Sequence, residues 1–161
     1  NEADASFPTS ARWNNTSPTN SVWTMGSTTA VNGTGVNYIA YCFTEKKGYS
    51  KFGTYVGNGN ADGTFVYTGF KPAFYMYKRT DSTSNWTIFD NKRNTFNEMG
   101  LQLHPNLSNA ESFSSRGDFL SNGFKVRATA GSTNAAGGTY IYMAFAENPL
   151  VGTNGIPATA R

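Results

Sequence analysis

The run Gly138–Glu147, Gly-Thr-Tyr-Ile-Tyr-Met-Ala-Phe-Ala-Glu, is nearly free of charge and dense in aromatic and β-branched residues. It follows Gly137 and reads as a buried strand. The chain has written a version of it once before. Val36–Glu45 is Val-Asn-Tyr-Ile-Ala-Tyr-Cys-Phe-Thr-Glu, so that Tyr38, Ile39, Phe43 and Glu45 match Tyr140, Ile141, Phe145 and Glu147 at a constant offset of 102 residues. Asn32 and Gly35 match Asn134 and Gly137 at the same offset, which makes six identities in fourteen ungapped positions. This is an internal repeat. It predicts two buried strands, with Ile39, Phe43, Ile141 and Phe145 in a core.

A chain of 161 residues is too short for two full units of about a hundred residues, so one copy is whole and the other partial. The expected division is an extended arm or linker over 1–20, terminal strands of a preceding repeat over 21–45, a β-sandwich domain over 46–149 and a C-terminal tail over 150–161. The arm, with Pro8 and Pro18, is expected to lack regular structure and to be pinned by Trp13. The chain does not begin with Met, which suggests a processed chain or one end of a longer one.

Composition supports strands over helices. Charged residues are 14% and aromatics 15%, with abundant Gly, Asn, Ser and Thr, a mixture that suits short strands and many turns. Further strands are expected at Ser21–Met25, Lys51–Val56, Thr64–Phe70, Ala73–Arg79, Asn85–Asp90, Phe113–Leu120 and Gly123–Thr129, separated by turn-forming clusters such as Gly57–Gly63, Thr80–Ser84 and Ala130–Gly138. The fold class is therefore all-β, an antiparallel β-sandwich, with a jelly-roll arrangement as its main variant.

Several functions are disfavoured by what the chain carries. Net charge is +3, but the thirteen basic residues are scattered, so nucleic-acid binding is not indicated. No apolar run is long enough for a membrane span. Cys42, the sole cysteine, lies between Tyr41 and Phe43 and reads as a buried thiol, which leaves no intrachain disulfide and no cysteine metal site. The sole histidine, His104, has no evident partner. Asn58, Asn60 and Asp62 echo a calcium loop, but Gly69 stands where that loop wants a bidentate carboxylate. Neither a metal nor a cofactor is expected.

Two kinds of site remain. Trp86, flanked by Asn85, Asp81 and Asp90, has the aromatic face and polar acceptors that suit a pyranose ring; the competing reading places Trp86 in the core. The carboxylates Asp81, Asp90, Glu98, Glu111 and Asp118 could include a glycosidase pair, but no spacing favours any two. If a glycan is bound, the loops Gly57–Gly63, Thr80–Asn85 and Ala130–Gly138 are the expected contacts.

The run from Gly48 to Phe74 resembles a domain found near the C-termini of tail-fibre-like and other structural proteins of tailed bacteriophages, marine ones especially. Lys78–Trp86, Phe119–Val126 and Gly138–Glu147 share the resemblance, which covers roughly Ser21 to the C-terminus. It is a domain of unknown function, and the resemblance carries no catalytic residue. It implies a bacteriophage virion structural protein at the virion surface or outside the cell, a fibre or surface-decoration module without enzymatic activity. The implied partners are copies of itself as a trimer, other virion proteins and a host surface glycan. Tyr49, Tyr55, Tyr75 and Tyr77 are the expected subunit-interface residues. The alternatives are a glycan-degrading depolymerase domain and a secreted, lectin-like carbohydrate-binding module.

Overall fold

A computed structural model describes residues 10–147, 150–151 and 157–158. Two compact units are present, 6–43 in one and 44–161 with 1–5 in the other.

The larger unit is built on two four-stranded antiparallel sheets. β1 (Ser50–Val56), β3 (Pro72–Arg79), β4 (Thr87–Asp90) and β8 (Thr139–Ala146) form the first, in the order β1-β8-β3-β4. β2 (Phe65–Tyr67), β5 (Met99–Gln102), β6 (Ser112–Leu120) and β7 (Gly123–Val126) form the second, in the order β2-β7-β6-β5. Among these eight strands the first pairs with the last and the second with the last but one, the nesting of a chain wrapped on itself. The nesting stops there, because β3 pairs with β4 and β5 with β6 as neighbours in sequence. The architecture is an all-β sandwich, as expected. β5 is a strand that the sequence did not announce, and an isolated bridge between Ile88 and Leu103, just after it, ties this segment to β4. The expected tail contains a short antiparallel pair, β9 (Leu150–Val151) with β10 (Pro157–Ala158).

Aromatic rings fill the space between the sheets. Tyr55, Tyr75, Tyr77, Phe89, Tyr140 and Tyr142 from the first sheet meet Val66, Phe119, Phe124 and Val126 from the second. Tyr75 packs on Phe124 at 4.1 Å between centroids, and Tyr55 stacks on Tyr140 at 4.7 Å. Three of the four tyrosines expected at a subunit interface, Tyr55, Tyr75 and Tyr77, are thus core residues of their own chain. Their hydroxyls are accommodated inside: Tyr55 donates to the carbonyl of Thr133, and Tyr77 bonds the Thr133 hydroxyl.

β8 is a strand, as expected, and lies between β1 and β3, but it presents the opposite face to the core. Tyr140, Tyr142 and Ala144 point inward, while Ile141 is 37% exposed and Phe145 is half-buried on the outside. Phe145 there packs against Tyr49, Phe52 and Phe74. Both faces of this strand are apolar, so alternation alone could not say which would be covered.

The smaller unit overturns several expectations. Ser21–Met25 and Val36–Glu45 are not strands; the unit holds two four-residue helices, α1 (Ser10–Trp13) and α2 (Thr29–Asn32). Ile39, Tyr41 and Phe43 are 81%, 81% and 59% exposed, and Cys42 is exposed instead of buried. The physical reason is pairing. β8 satisfies its backbone between β1 and β3, whereas among the described residues no strand pairs with Val36–Glu45. The arm contains helix α1, contrary to the expectation of no regular structure, and Trp13 pins it by packing on Trp23 at 5.9 Å. The part of the arm before residue 10 lies outside the described residues.

Candidate functional site

Three loops meet at one end of the sandwich: 57–63, 80–85 and 130–138, the last containing helix α3 (Gly131–Asn134). They are the loops singled out in the sequence, and backbone bonds join them. Gly57 N–H donates to Gly138 O and Gly137 N–H returns to Gly57 O, each at 2.9 Å. Gly59 N–H donates to Asn134 O, and Thr80 N–H to Thr139 O. The guanidinium of Arg79, at the end of β3, grips Asp81 through two bonds of 2.9 and 3.0 Å and donates a third to Gly131 O.

Asn134 is the centre of this rim. It is wholly buried, and its Nδ2 faces Asn58 Oδ1, Asn60 O and Ala128 O at 2.8–2.9 Å. Two N–H protons thus serve three oxygens. Its Oδ1 accepts from Asn58 N–H. Asn58 Oδ1 in turn accepts from Asn60 N–H, and Asn60 Oδ1 from Asp62 N–H. The oxygens that resemble calcium ligands are therefore engaged in shaping the loop. Asp62 is paired with Lys125 at 2.8 Å and Arg127 at 3.3 Å. The glycine positions are sterically required at two places. A Cβ on Gly57 would sit 2.3 Å from Ala135 O, and Gly59 has φ +69°. The sequence marked these loops as turns, but nothing in it marked Asn134 as their organiser.

The residues proposed to bind sugar do not all converge. Asp81 belongs to the rim, where it also accepts from Thr139 N–H. Asp90 lies opposite Phe74, five residues back along β3 from Arg79, or ~16 Å at strand rise. Asn85 and Trp86 sit where the 80–86 connection meets 104–106: Asn106 Nδ2 donates to Asn85 Oδ1, Trp86 N–H donates to Asn106 Oδ1, and His104 Nδ1 donates to Trp86 O at 2.8 Å. His104 thus has a structural partner that the sequence did not reveal. Trp86 is half-buried and stands outside the core cluster, so its indole is neither core filling nor a fully open platform.

Electrostatics argue against a carboxylate pair. The Arg79 hydrogen bonds hold Asp81 down to about 2. Burial pushes Asp90 up, but the bonds and charge of Arg93 outweigh it and the carboxyl lies below its usual range. Arg93 also binds Glu111 at 2.5 Å, and Arg127 binds Asp118 at 2.7 Å. Four of the five carboxylates considered for hydrolysis are held by arginines, and Asp81 and Asp90 lie below their usual range, whereas a general acid needs its pKa raised. A groove of about 600 Å³ lined by Lys47, Lys51, Tyr67 and Thr68 lies at the other end of β1. Its Lys51 is tied to Glu45 at 2.9 Å. Among the described residues no group of three or more His, Cys, Asp or Glu side chains could hold a metal, and no helix is long and apolar enough to cross a membrane.

The fold and the rim define a β-sandwich with a hydrogen-bonded polar loop end. Residues 1–149 match the family described as Domain of unknown function (DUF7483), and the chain belongs to that family. No curated protein and no solved structure matches it.

Proposed function

We propose that this chain is a non-enzymatic structural module of a bacteriophage virion, in a fibre or a surface decoration, that offers its loop rim to a host-surface glycan. The observation that carries the glycan reading is the convergence of the three loops. Cross-bonding makes the rim rigid before any ligand arrives, which lowers the ordering cost of binding. Asn58, Asn60 and Asp62 are exposed on it, and amide and carboxylate groups suit sugar hydroxyls. Trp86, half-buried, continues the same connection as Asp81. Asp90, at the far end of β3, is left out of the site.

The virion assignment rests on the resemblance of the Gly48–Phe74 run and of Gly138–Glu147 to phage structural proteins, and detection of the chain in purified particles tests it. The arginine pairing of four carboxylates favours adhesion over the depolymerase reading. Assembly as a trimer, to be read by sedimentation, would use Tyr49 and the outer row Phe52–Met143–Met76–Ile88 in place of the core tyrosines. The deciding experiment for recognition is a glycan array probed with the wild type and with Trp86→Ala, after circular dichroism shows that the variant folds. Binding by the wild type and its loss in Trp86→Ala are expected. No binding by the wild type, or binding unchanged in the folded variant, removes this site.

A further inference from the structure

The smaller unit contains a second edition of the bonds that organise α3 and the start of β8. Tyr140 O–H donates to Gly131 O and accepts from Ala135 N–H; at an offset of 102, Tyr38 O–H donates to Thr29 O and accepts from Gly33 N–H. Asn134 Nδ2 donates to Ala128 O, and Asn32 Nδ2 to Gly26 O. Asn134 N–H donates to Ala130 O and Asn32 N–H to Thr28 O; Gly138 N–H donates to Ala135 O and Val36 N–H to Gly33 O. Helix α2 is α3 displaced by 102 residues, and Gly35 and Gly137 have φ +72° and +73°. Only three residues among Thr29–Tyr38 (Asn32, Gly35 and Tyr38) are identical to their counterparts in Gly131–Tyr140, so the shared geometry is that of a common local fold.

The two editions differ in what covers them. Thr133, Asn134, Tyr140 and Ala144 are 1% exposed or less, held by the 57–60 loop, β1 and β3. Their counterparts Asn32, Tyr38 and Cys42 are exposed, and α2 buries no residue. Val36, Ile39, Tyr41 and Phe43 add more than half-exposed apolar surface, an accumulation that marks an interface.

We infer that Gly26–Phe43 is the α3–β8 piece of another sandwich of this same architecture, inserting between its β1-type and β3-type strands with Asn32 clasping its 57–60-type loop. The match names the occupant, because a copy of β8 with its Asn and Tyr anchors fits the seat that β8 fills. The constant spacing places the strands of that seat upstream in the same polypeptide, as residue-for-residue equivalents of 50–56 and 72–79 set 102 positions earlier. A second copy of this chain is disfavoured, since its seat already holds its own β8.

The test transplants the residues of Thr29–Phe43 into the place of Gly131–Phe145. The variant then carries two copies of Cys42, one in its native place and one at the position of Ala144. Folding with a melting temperature lowered by no more than about 10 °C is expected. The native Cys42 should react with a thiol reagent at the free rate, and the transplanted thiol more slowly by a factor on the order of 100 or greater. A second transplant that keeps Thr133, and with it the bond to Tyr77, separates loss of that bond from incompatibility of the segment. If neither transplant folds, or if both thiols react equally fast, the inference is overturned. The unaltered chain is labelled over a concentration series in parallel. Cys42 reacting at the same rate throughout supports an upstream partner, whereas protection that grows with concentration alongside a doubled mass overturns that assignment in favour of a second copy.

Discussion

Replacing Asn134 is the sharpest probe of the rim, because its cost can be worked out bond by bond. Asn134→Ala leaves Ala128 O buried without its amide donor, a loss of about 1–3 kcal/mol. Asn60 O and Asn58 N–H lose their partners in half-buried positions that water can reach, which adds about 0.5–1 kcal/mol each. The total is about 2–5 kcal/mol, and a chain of this length should lose roughly 6–15 °C in melting temperature. Asn134→Asp should be worse than Ala, since it removes both N–H donors and sets carboxylate oxygen against Asn60 O and Ala128 O in a buried place. Asn58→Ala keeps the Asn134 bonds to Ala128 O and Asn60 O and should cost only about 0.5–1.5 kcal/mol. Urea unfolding by circular dichroism and tyrosine fluorescence, with m-values compared, measures all three. A loss under about 1 kcal/mol in Asn134→Ala, or a milder effect of Asp than of Ala, would refute the claim that this amide organises the rim.

Phe89→Ala, at a residue 1% exposed between the sheets, should cost about 3–5 kcal/mol, whereas Phe145→Ala on the outer face should cost no more than about 2 kcal/mol; equal losses in urea unfolding would contradict the assignment of the inner face. The Asp81 carboxyl should titrate at about 2 by carbon-detected NMR, and Arg79→Gln should return it toward about 3.9. Because its folded value is depressed, its stabilisation is complete above the unfolded carboxylate range and is lost as pH falls toward about 2. Burial holds Tyr55, Tyr75 and Tyr77 above their usual range, so the folded state keeps protons that the unfolded chain releases; stability should fall as pH rises past about 10, and these rings should ionise only as the protein unfolds in an ultraviolet titration.

What the sequence determined by itself was local. Gly57–Gly63 and Ala130–Gly138 announced turns through residues that tolerate them. Ala73–Arg79, Gly123–Thr129 and Gly138–Glu147 announced strands through β-branched and aromatic content, and the all-β class followed. The repeat at 102 residues was also legible, since identity at a fixed offset needs no structure to be seen. Tertiary structure alone decided the rest. β8 carries apolar residues on both faces, so only packing against β7 and β6 could select Tyr140, Tyr142 and Ala144 over Ile141, Met143 and Phe145. Asp81 and Asp90 are nine positions apart in sequence, but pairing along β3 sets them at opposite ends of a strand. Asn134 looked like one more loop asparagine until the 57–60 loop closed around it. Val36–Glu45 makes the point most plainly. It has the pattern of β8 and its Tyr anchor, yet it forms no strand, because a strand's backbone N–H and C=O groups are satisfied by neighbouring strands and not by its own residues.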